Sequence, residues 1–493
     1  MAGERVRGTS VALATLLERL PAAQIDGDRK RLVTGIEVDS HAVRPGSLFV
    51  ALRGSHVDGH LFVPQAIADG AAALLVDAEH SLATPPGVTV VRVSDTRRAL
   101  SAVSAAFYQD PSRSLDVIGI TGTNGKTTVS RMIAAILNEG GIPCGVIGTV
   151  GAEFRAQTWQ LRNTTPLPPE LHGLLACMRA DGARAVAMEV SSHALALERV
   201  EDVAFSIAVL TNVTRDHLDF HETLDAYSAA KRRLFELAPA CVMNLDDSYG
   251  ARWAVDAAAA GREVISYGVS SGAMLVPTEI VVAVDHSRFT VNDQRYELRL
   301  PGRFNIWNAL AAIGVARSLG IAAAASERGL AALERVPGRM EHFNVNGIDV
   351  VIDYAHTPDA LENALRSLRE TAKGTLAVVF GCGGDRDKGK RSQMGAVAAQ
   401  LADRIYLTND NPRTEEPGAI VEAIAAGIGS HAYVVELDRR QAIERAIAES
   451  QPGDVVLIAG KGHETYQIVG ERVLPFDDAT IAREALSARG VLR

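Results

Sequence analysis

Residues 120–128 have the sequence ITGTNGKTT. They follow LDVIG, an apolar run typical of a buried strand, and precede VSRMIAAILNEGG, in which apolar residues recur at helical spacing. A strand, a Gly-rich loop with Lys and Thr, and a helix together bind the phosphates of a nucleoside triphosphate. This arrangement predicts a nucleotide-binding domain built on a parallel sheet.

The residues of this loop have separate predicted tasks. Gly122 and Gly125 allow the backbone to turn its N–H groups toward phosphate oxygens. Lys126 reaches the β- and γ-phosphates, and Thr127 binds Mg²⁺ through its hydroxyl. The pattern GxxxxGK[ST] has Gly where this chain has Ile120, so the match is to a shorter variant. The alternative is a Gly-rich turn with a solvated Lys. The predicted nucleotide contacts of the loop are Gly122, Thr123, Asn124, Gly125, Lys126, Thr127 and Thr128.

The composition excludes several classes of partner. Hydrophobic residues are 47% and charged residues 22%, as in globular proteins. Lys and Arg number 50 against 59 Asp and Glu, and a net charge of −9 disfavours nucleic acid. No apolar run is long enough to span a membrane, the charged N-terminal residues are unlike a secretory signal, and the four cysteines lie far apart. We therefore expect a cytoplasmic protein with small-molecule partners, without nucleic acid and without a membrane.

The length of 493 residues favours about three α/β domains. Residues 1–111 mix short strands and helices. Residues 112–335 carry the Gly-rich loop and buried strands separated by helical runs, which predicts a central P-loop domain with a parallel sheet. The alternating run EIVVAVDHSRFTVNDQRYELRL predicts an antiparallel addition to it. Residues 336–493 predict a Rossmann-like open α/β sheet, whose ligands bind beyond the carboxyl ends of its strands.

Nine motifs in order carry a family resemblance. They are GTNGKTT, MEVSSHAL, TNVTRDHLDFH, PGRFNIWNALAA, VPGRME, DYAHTPDAL, GCGGDRDKGKR, DNPRTEEP and AGKGHE. The set resembles the Mur ligases, the ATP-dependent enzymes that build the peptide stem of peptidoglycan. It is most similar to members that add meso-diaminopimelate to UDP-N-acetylmuramoyl-L-alanyl-D-glutamate. The resemblance implies a UDP-binding domain (1–111), a central ATPase domain (112–335), an amino-acid-binding domain (336–493) and a monomer.

The implied reaction explains why a ligase needs the Gly-rich loop. A carboxylate is a poor acylating agent, so the γ-phosphoryl group of ATP first converts the D-glutamate side chain to an acyl phosphate. An amine then attacks, and inorganic phosphate leaves. The protein must therefore neutralise crowded negative charge and align two substrates.

The resemblance also implies a metal site and catalytic groups. Glu189, at the end of the strand AVAMEV, matches a Mg²⁺ ligand, and its alternative is a buried acid in a structural ion pair. His217 matches a second-metal ligand, although Mg²⁺ prefers oxygen and a loop histidine is the alternative. Lys231 matches a carbamylated lysine, whereas its pattern alone favours a surface lysine on an amphipathic helix. The implied metal ligands are Thr127, Glu189, His217 and Lys231, and the implied catalytic residues are Lys126, Lys231, His217 and Arg339.

Further positions match the family's contacts to ATP and to the muramoyl-dipeptide. Arg339 suits the transition-state charge of phosphoryl transfer. The alternatives are helix capping for the two Asn residues and loop hydrogen bonding for the others. The further nucleotide contacts are Asn305, Asn308, Arg339, Asp353, Tyr354 and His356. The muramoyl-dipeptide contacts are Asn163, Thr164, Thr165, Ser191 and Arg199, while Leu197 stands where some members have Gln. The uridine-side contacts are Val38, Ser40, Ser55, His56 and Val57.

The added amino acid is expected to bind in the DNPR region. Diaminopimelate has a distal carboxylate that lysine lacks, and Arg413 offers that carboxylate a bidentate partner. Asp410 and Glu464 can pair with ammonium groups. The alternative for Arg413 is a salt bridge with Glu415 or Glu416. The full predicted set is Arg386, Asp410, Asn411, Pro412, Arg413, Gly460 and Glu464.

Two other functions compete with this one. A folylpolyglutamate synthetase shares the ATP machinery, but the N-terminal region and DNPR disfavour it. A non-catalytic nucleotide-binding regulator is disfavoured by the intact set of Lys126, Thr127, Glu189, His217 and Lys231.

Overall fold

A computed structural model describes residues 10–54 and 57–491. The predicted uridine contacts Ser55 and His56 therefore lie outside the described residues. The chain divides into two compact units. The first takes in the described residues of Met1–Thr121, Gly141–Val209 and Ala230–Cys241. The second takes in those of Gly122–Gly140, Leu210–Ala229 and Val242–Arg493.

The first part of the chain builds a small sheet with helices. Its strands are β1 (Val11–Ala12), β2 (Gln24–Asp26), β3 (Leu32–Val33), β4 (Gly35–Glu37), β5 (Ser47–Val50), β6 (Ala73–Asp77) and β7 (Thr89–Val93). Its helices are α1 (Leu13–Leu17), α2 (Val63–Ala68) and α3 (Thr96–Phe107). The sheet order is β2-β7-β6-β5-β4, with β4 to β7 parallel and β2 antiparallel, while β1 pairs with β3. Alternate residues of its strands enter two separate apolar clusters, as expected of a sheet covered on both faces.

The middle part contains the largest sheet. Its strands are β8 (Asp116–Thr121), β9 (Cys144–Gly148), β10 (Gly151–Phe154), β11 (Gln157–Trp159), β12 (Ala185–Glu189), β13 (Phe205–Leu210), β14 (Ala240–Asn244), β15 (Glu263–Tyr267), β16 (Thr278–Val282), β17 (Ser287–Val291) and β18 (Gln294–Leu298). Its helices are α4 (Lys126–Glu139), α5 (Pro168–Ala180), α6 (Ser192–Ala196), α7 (Leu218–His221), α8 (Leu224–Leu237), α9 (Ser248–Ala259), α10 (Arg303–Ser318) and α11 (Ala323–Ala332). The order is β11-β10-β9-β12-β8-β13-β14-β15, and β12 lies parallel to β8 and β9. Strands β16 to β18 form the predicted antiparallel addition.

The last part is an open α/β sheet. Its strands are β19 (Glu341–Val345), β20 (Ile348–Asp353), β21 (Leu376–Phe380), β22 (Arg404–Leu407), β23 (Val434–Val435), β24 (Val455–Ala459), β25 (Tyr466–Val469) and β26 (Arg472–Pro475). Its helices are α12 (Pro358–Arg369), α13 (Lys390–Leu401), α14 (Pro417–Ile428), α15 (Arg439–Ala448) and α16 (Asp478–Val491). The order is β19-β20-β24-β21-β22-β23, parallel except for β19, and β25 and β26 form a separate hairpin. The predicted α/β class with parallel sheets is confirmed. Within the described ranges, no helix is long and apolar enough to cross a membrane.

One buried histidine gives a stability prediction. His172 on α5 is 0% exposed, and neither ring nitrogen has a hydrogen-bond partner among the described residues. Burial lowers the pKa of His172 to about 4. Below about pH 6.5 the His172 ring binds a proton in the unfolded chain, whereas in the folded protein it stays neutral until the pH approaches 4. The free energy of unfolding therefore decreases as the pH falls from about 6.5 toward 4.

Replacing His172 with Leu removes both unpaired polar atoms. We expect the free energy of unfolding to rise by about 1–3 kcal/mol at neutral pH, because an unpaired buried polar group carries a penalty of that size. The gain should be larger at pH 5.5 than at pH 7.5. Urea unfolding at the two pH values measures both effects. The control is His41→Gln, since the His41 side chain is 88% exposed. A less stable H172L protein at both pH values contradicts the prediction.

Candidate active site

The predicted phosphate loop forms the entry to α4. The helix begins at Lys126, directly after Gly125, whose φ is +89°. A Cβ at Gly125 would lie 2.4 Å from Asn308 Oδ1, so both the backbone angle and the close approach require glycine there. Lys126 Nζ donates hydrogen bonds of 2.9 Å to the carbonyls of Gly122 and Thr123. The loop therefore presents its lysine beside its own backbone, as phosphate binding needs.

Neighbouring polar side chains hold this loop in place. Thr211 Oγ1 donates to Asn124 O at 2.6 Å, and Asn212 Oδ1 accepts from Asn124 N at 3.0 Å. Asp359 Oδ2 accepts from both Asn124 Nδ2, at 2.9 Å, and Thr214 Oγ1, at 3.3 Å. Burial raises the pKa of Asp359. No local feature of the sequence distinguishes Asp359, although it lies inside the motif DYAHTPDAL.

The predicted transition-state arginine reaches the phosphate loop. Arg339 Nη2 donates to Thr127 Oγ1 at 3.2 Å, although 212 residues separate them. Its guanidinium lies over the Tyr354 ring, 4.5 Å from the centroid. Asp353 Oδ2 accepts a hydrogen bond of 2.9 Å from the backbone N–H of Met340, the residue that follows Arg339. Burial raises the pKa of Asp353, against the effect of Arg339. The motifs VPGRME and DYAHTP thus meet at the start of α4.

His356 is held as a neutral imidazole. Its Nδ1–H donates to the carbonyl of Tyr354 at 2.8 Å, and Lys390 Nζ donates to the His356 carbonyl at 2.8 Å. Burial lowers the pKa of His356 to about 4, and the Lys390 charge acts in the same direction. At neutral pH its Nε2 is therefore an acceptor, which suits a hydrogen bond from a nucleotide.

The two predicted asparagines of α10 are buried and bonded to each other. Asn308 Nδ2 donates to Asn305 Oδ1 at 2.9 Å, and Asn305 Nδ2 donates to the Pro301 carbonyl at 2.7 Å. The helix begins at Arg303 after Gly302, which makes no side-chain cap. The helix-capping alternative is therefore wrong for both residues.

Four of the predicted amino-acid contacts act electrostatically on Tyr466, a residue outside the predicted set. Burial raises the pKa of the Tyr466 phenol, and the charges of Glu464 and Asp410 raise it further. The charges of Arg413 and Arg386 act in the opposite direction on the same group. All four of these predicted charges thus influence one phenol. The arrangement offers both anionic and cationic partners, as an amino acid with two charged ends requires.

Arg413 is oriented by backbone carbonyls. Its Nη1 donates to Gly384 O at 2.8 Å and to Asn411 O at 3.4 Å, and its φ is +52°. Glu415 pairs instead with Arg391, at 2.9 Å. The predicted alternative, a salt bridge from Arg413 to Glu415 or Glu416, is therefore wrong. No ion pair involves Arg413 within residues 10–54 and 57–491, so its remaining donors suit a ligand carboxylate.

A buried lysine organises the acidic side of this pocket. Lys461 is 0% exposed, and its Nζ donates to Asn411 Oδ1 at 3.0 Å and to Glu464 Oε2 at 3.2 Å. Asn411 Nδ2 donates to the same Glu464 oxygen at 2.8 Å. A Cβ at Gly460, where φ is +114°, would lie 2.5 Å from Asp410 Oδ2. Gly460 thus permits the approach of the Asp410 carboxylate. Lys461 lies in the motif AGKGHE but is not among the predicted site residues.

Glu189 lies at the end of β12, opposite Ile120 of β8. Its carboxylate is buried and accepts from Thr149 N and Thr149 Oγ1, both at 2.9 Å. No ion pair involves it in the described part of the chain, so the structural ion-pair alternative is wrong. A buried carboxylate whose described partners are all neutral donors fits an oxygen-seeking divalent cation.

Predicted muramoyl-dipeptide contacts lie beside Glu189. Thr165 Oγ1 donates to the Glu189 carbonyl at 2.9 Å and accepts from Ser191 N at 3.0 Å. Arg199 Nη1 donates to the Thr165 carbonyl at 3.0 Å, and burial lowers the pKa of Arg199. Thr164 Oγ1 is 3.1 Å from Thr149 Oγ1. Of the remaining predicted contacts, Asn163 is exposed.

Lys231 and His217 differ in exposure. Lys231, on α8, is 1% exposed, so the surface-lysine alternative is wrong. Burying an ammonium is costly, which favours a changed charge state or a strong partner. The His217 side chain is 44% exposed, with Nε2 3.4 Å from Asp216 Oδ2 and φ at +52°. No group of three or more His, Cys, Asp or Glu side chains that could hold a metal occurs among the described residues.

The described uridine-side residues follow two adjacent parallel strands. Val38 and Ser40 come after β4, and Val57 comes after β5. Ser40 is 4% exposed and begins a 3₁₀ helix, Ser40–Ala42, that Asp39 caps. Val57 is 52% exposed.

Comparisons with known proteins indicate one protein family along most of the chain. Three family models match: the Mur ligase family, catalytic domain, over residues 32–108; the Mur ligase middle domain over residues 120–316; and the Mur ligase, glutamate ligase domain over residues 338–462. A UDP-N-acetylmuramoyl-L-alanyl-D-glutamate–2,6-diaminopimelate ligase of Syntrophomonas wolfei is 42% identical over 491 residues, 97% of this chain and 99% of that protein. A ligase of the same name from Gloeobacter violaceus is 44% identical over 467 residues, which cover 93% of this chain and 94% of that protein. A solved structure of an enzyme with the same name has a TM-score of 0.69 and 33% identity, covering 98% of this chain and 100% of that one.

Proposed function

Since this chain belongs to the Mur ligase family, we propose that it joins meso-diaminopimelate to the D-glutamate of UDP-N-acetylmuramoyl-L-alanyl-D-glutamate, converting ATP to ADP and phosphate. It is an ATP-dependent acid–amino-acid ligase of peptidoglycan precursor synthesis. The observation that carries the choice of amino acid is Arg413, whose guanidinium is held by backbone carbonyls and forms no ion pair in the described part of the chain. The meso isomer rests on the resemblance.

The residues at the phosphate loop supply positive charge to the reaction. Lys126 neutralises the β- and γ-phosphates, and Arg339 stabilises the charge that spreads over the transferring phosphoryl group. Thr127, Glu189, His217 and a carbamylated Lys231 are the proposed metal ligands; the support comes from Glu189, which is buried without a cationic partner in the described ranges. Mg²⁺ bound there supplies electrostatic stabilisation of phosphate oxygens. Asp410 and Glu464 hold the ammonium end of the incoming amino acid.

The domain division remains part of this proposal. We assign residues 1–111 to UDP binding, 112–335 to ATP and 336–493 to the amino acid. Each of the three family models matches within one of these ranges, which supports the assignment. A monomer in the cytoplasm is proposed from the pathway of the named relatives.

The test is phosphate release with ATP, Mg²⁺ and UDP-N-acetylmuramoyl-L-alanyl-D-glutamate. Meso-diaminopimelate, LL-diaminopimelate and L-lysine are compared as the added amino acid. We expect turnover with the meso isomer and little with lysine. Turnover with lysine alone would refute the amino-acid assignment but retain the ligase. Folate-dependent ADP release would favour a folylpolyglutamate synthetase, and nucleotide binding without turnover on any acceptor would favour a regulator.

The carbamate on Lys231 has a direct readout. Lysine reacts with CO₂ only as a neutral amine, and burial favours that form. We expect a carbamate carbon signal in the NMR spectrum of protein equilibrated with ¹³C-bicarbonate. The signal should be absent from Lys231→Arg and retained in Lys373→Arg, whose side chain is exposed. A spectrum of the wild-type protein without this signal would refute the modification.

A further inference from the structure

A fully buried ion pair lies beneath the amino-acid loops. Arg439 is the first residue of α15 and Asp478 the first of α16, and both side chains are 0% exposed. Arg439 Nε donates to Asp478 Oδ1 at 2.8 Å and Nη2 donates to Oδ2 at 2.6 Å. A buried pair of this kind adds little net stability, because desolvation offsets the attraction. The remaining bonds of the guanidinium therefore indicate its role.

Those bonds tie together two loops that are distant in sequence. Arg439 Nη1 donates to the carbonyl of Asn409 at 3.3 Å, and Nη2 donates to the carbonyl of Ala459 at 3.0 Å. Asn409 immediately precedes Asp410 of the DNPR segment. Ala459 ends β24 and immediately precedes Gly460. One side chain thus holds the start of both loops that carry the predicted amino-acid contacts.

The electrostatic environment connects the same groups. Burial opposes the charge on Arg439, but Asp478, Asp410 and Glu464 together raise the pKa of its guanidinium. Asp410 and Glu464 are the proposed ammonium partners of the substrate. Arg439 is therefore a fixed countercharge behind them, and its burial keeps it out of reach of any ligand.

We propose that Arg439 is a positioning residue for the added amino acid: it sets the spacing between residues 410–413 and 460–464, and Asp478 fixes its guanidinium. This inference rests on the proposed function. Loss of Arg439 affects the geometry of Asp410, Arg413 and Glu464 together. The proposed contacts to ATP and to the UDP-linked substrate lie on other loops, so binding of these two substrates should be little affected.

The principal test variant is Arg439→Met with Asp478→Leu, which removes both charges and leaves an apolar core of similar volume. We expect the KM for diaminopimelate to rise by about tenfold or more, because each lost charged bond to a backbone carbonyl is worth that much. The KM values for ATP and for the UDP-linked substrate should change by less than about twofold. Arg439→Lys keeps a cation with fewer donors, so its KM should be intermediate.

The control is Tyr406→Phe, which removes a 2.7 Å hydrogen bond to Glu449 from the same sheet without touching either loop. It should leave all three KM values unchanged. A folded double variant with the wild-type KM for diaminopimelate overturns the proposal, as does an equal rise in all three KM values. If the double variant does not fold, Arg439→Lys is judged by the same criteria. A wild-type protein that turns over no amino acid refutes the proposed function instead.

Discussion

Replacing Arg339 with Ala is expected to lower kcat by roughly 10³-fold, the scale on which an arginine acts in phosphoryl transfer. Arg339 Nη2 lies 3.2 Å from Thr127 Oγ1, and Thr127 directly follows the loop lysine. In the proposed mechanism, a guanidinium at this place meets the γ-phosphate of ATP bound to the loop. The Tyr354 ring under the guanidinium restricts its orientation, so little reorganisation is needed as charge develops.

The loss should appear in turnover and not in nucleotide affinity. Titration with a non-hydrolysable ATP analogue should give a Kd within about threefold of the wild-type value, because a group that acts in the transition state contributes little to ground-state binding. Arg339→Lys keeps the charge without the bidentate fork and should recover only part of kcat. The matched control is Arg335→Ala, four residues earlier, whose side chain is 61% exposed and pairs with Glu341. A weaker Kd with an unchanged kcat would contradict a catalytic role.

The parts of this molecule that sequence predicts are those fixed by local chemistry. Gly125 and Lys126 specify a turn and a helix start through backbone geometry alone, and α4 begins where the pattern predicts. The alternating run after residue 278 specifies an antiparallel three-stranded sheet by its period of two. Such features depend on neighbours in sequence, so no tertiary information is needed to find them.

The parts that sequence did not predict depend on partners distant in the chain. Lys231 has the spacing of a surface lysine, yet it is 1% exposed, because what covers a helix face is not encoded in the helix. Asp359 contacts Asn124 across 235 residues, and Arg439 contacts Asp478 across 39. Asp359 and Arg439 both lie in the first turn of a helix, where a charged side chain is ordinarily solvated. The sequence around them therefore contains no signal that distinguishes them from other charged residues at helix starts.

Replacing Arg413 with Ala is expected to remove the preference for diaminopimelate over lysine. The kcat/KM for diaminopimelate should fall by about 10²–10³-fold, since a bidentate bond to a carboxylate in a partly buried site is lost. Turnover of lysine should stay equal or rise, because the unpaired guanidinium that disfavours it is gone. Arginine and alanine both carry a Cβ, so the substitution does not change the backbone strain of the positive φ (+52°) at position 413.

The ratio of the two kcat/KM values separates recognition from support of the loop. Arg413 Nη1 also bonds the carbonyls of Gly384 and Asn411, and losing those bonds alone would loosen the pocket for either amino acid. If the substitution only loosens the loop, kcat/KM should fall equally for diaminopimelate and lysine, and their ratio should not change. If Arg413 recognises the distal carboxylate, the ratio of kcat/KM for diaminopimelate to that for lysine should fall toward one. The control is Arg472→Ala, an exposed arginine on β26. A ratio that stays at the wild-type value would show that Arg413 supports the loop and that the distal carboxylate is bound elsewhere, with Arg386 the next residue to replace.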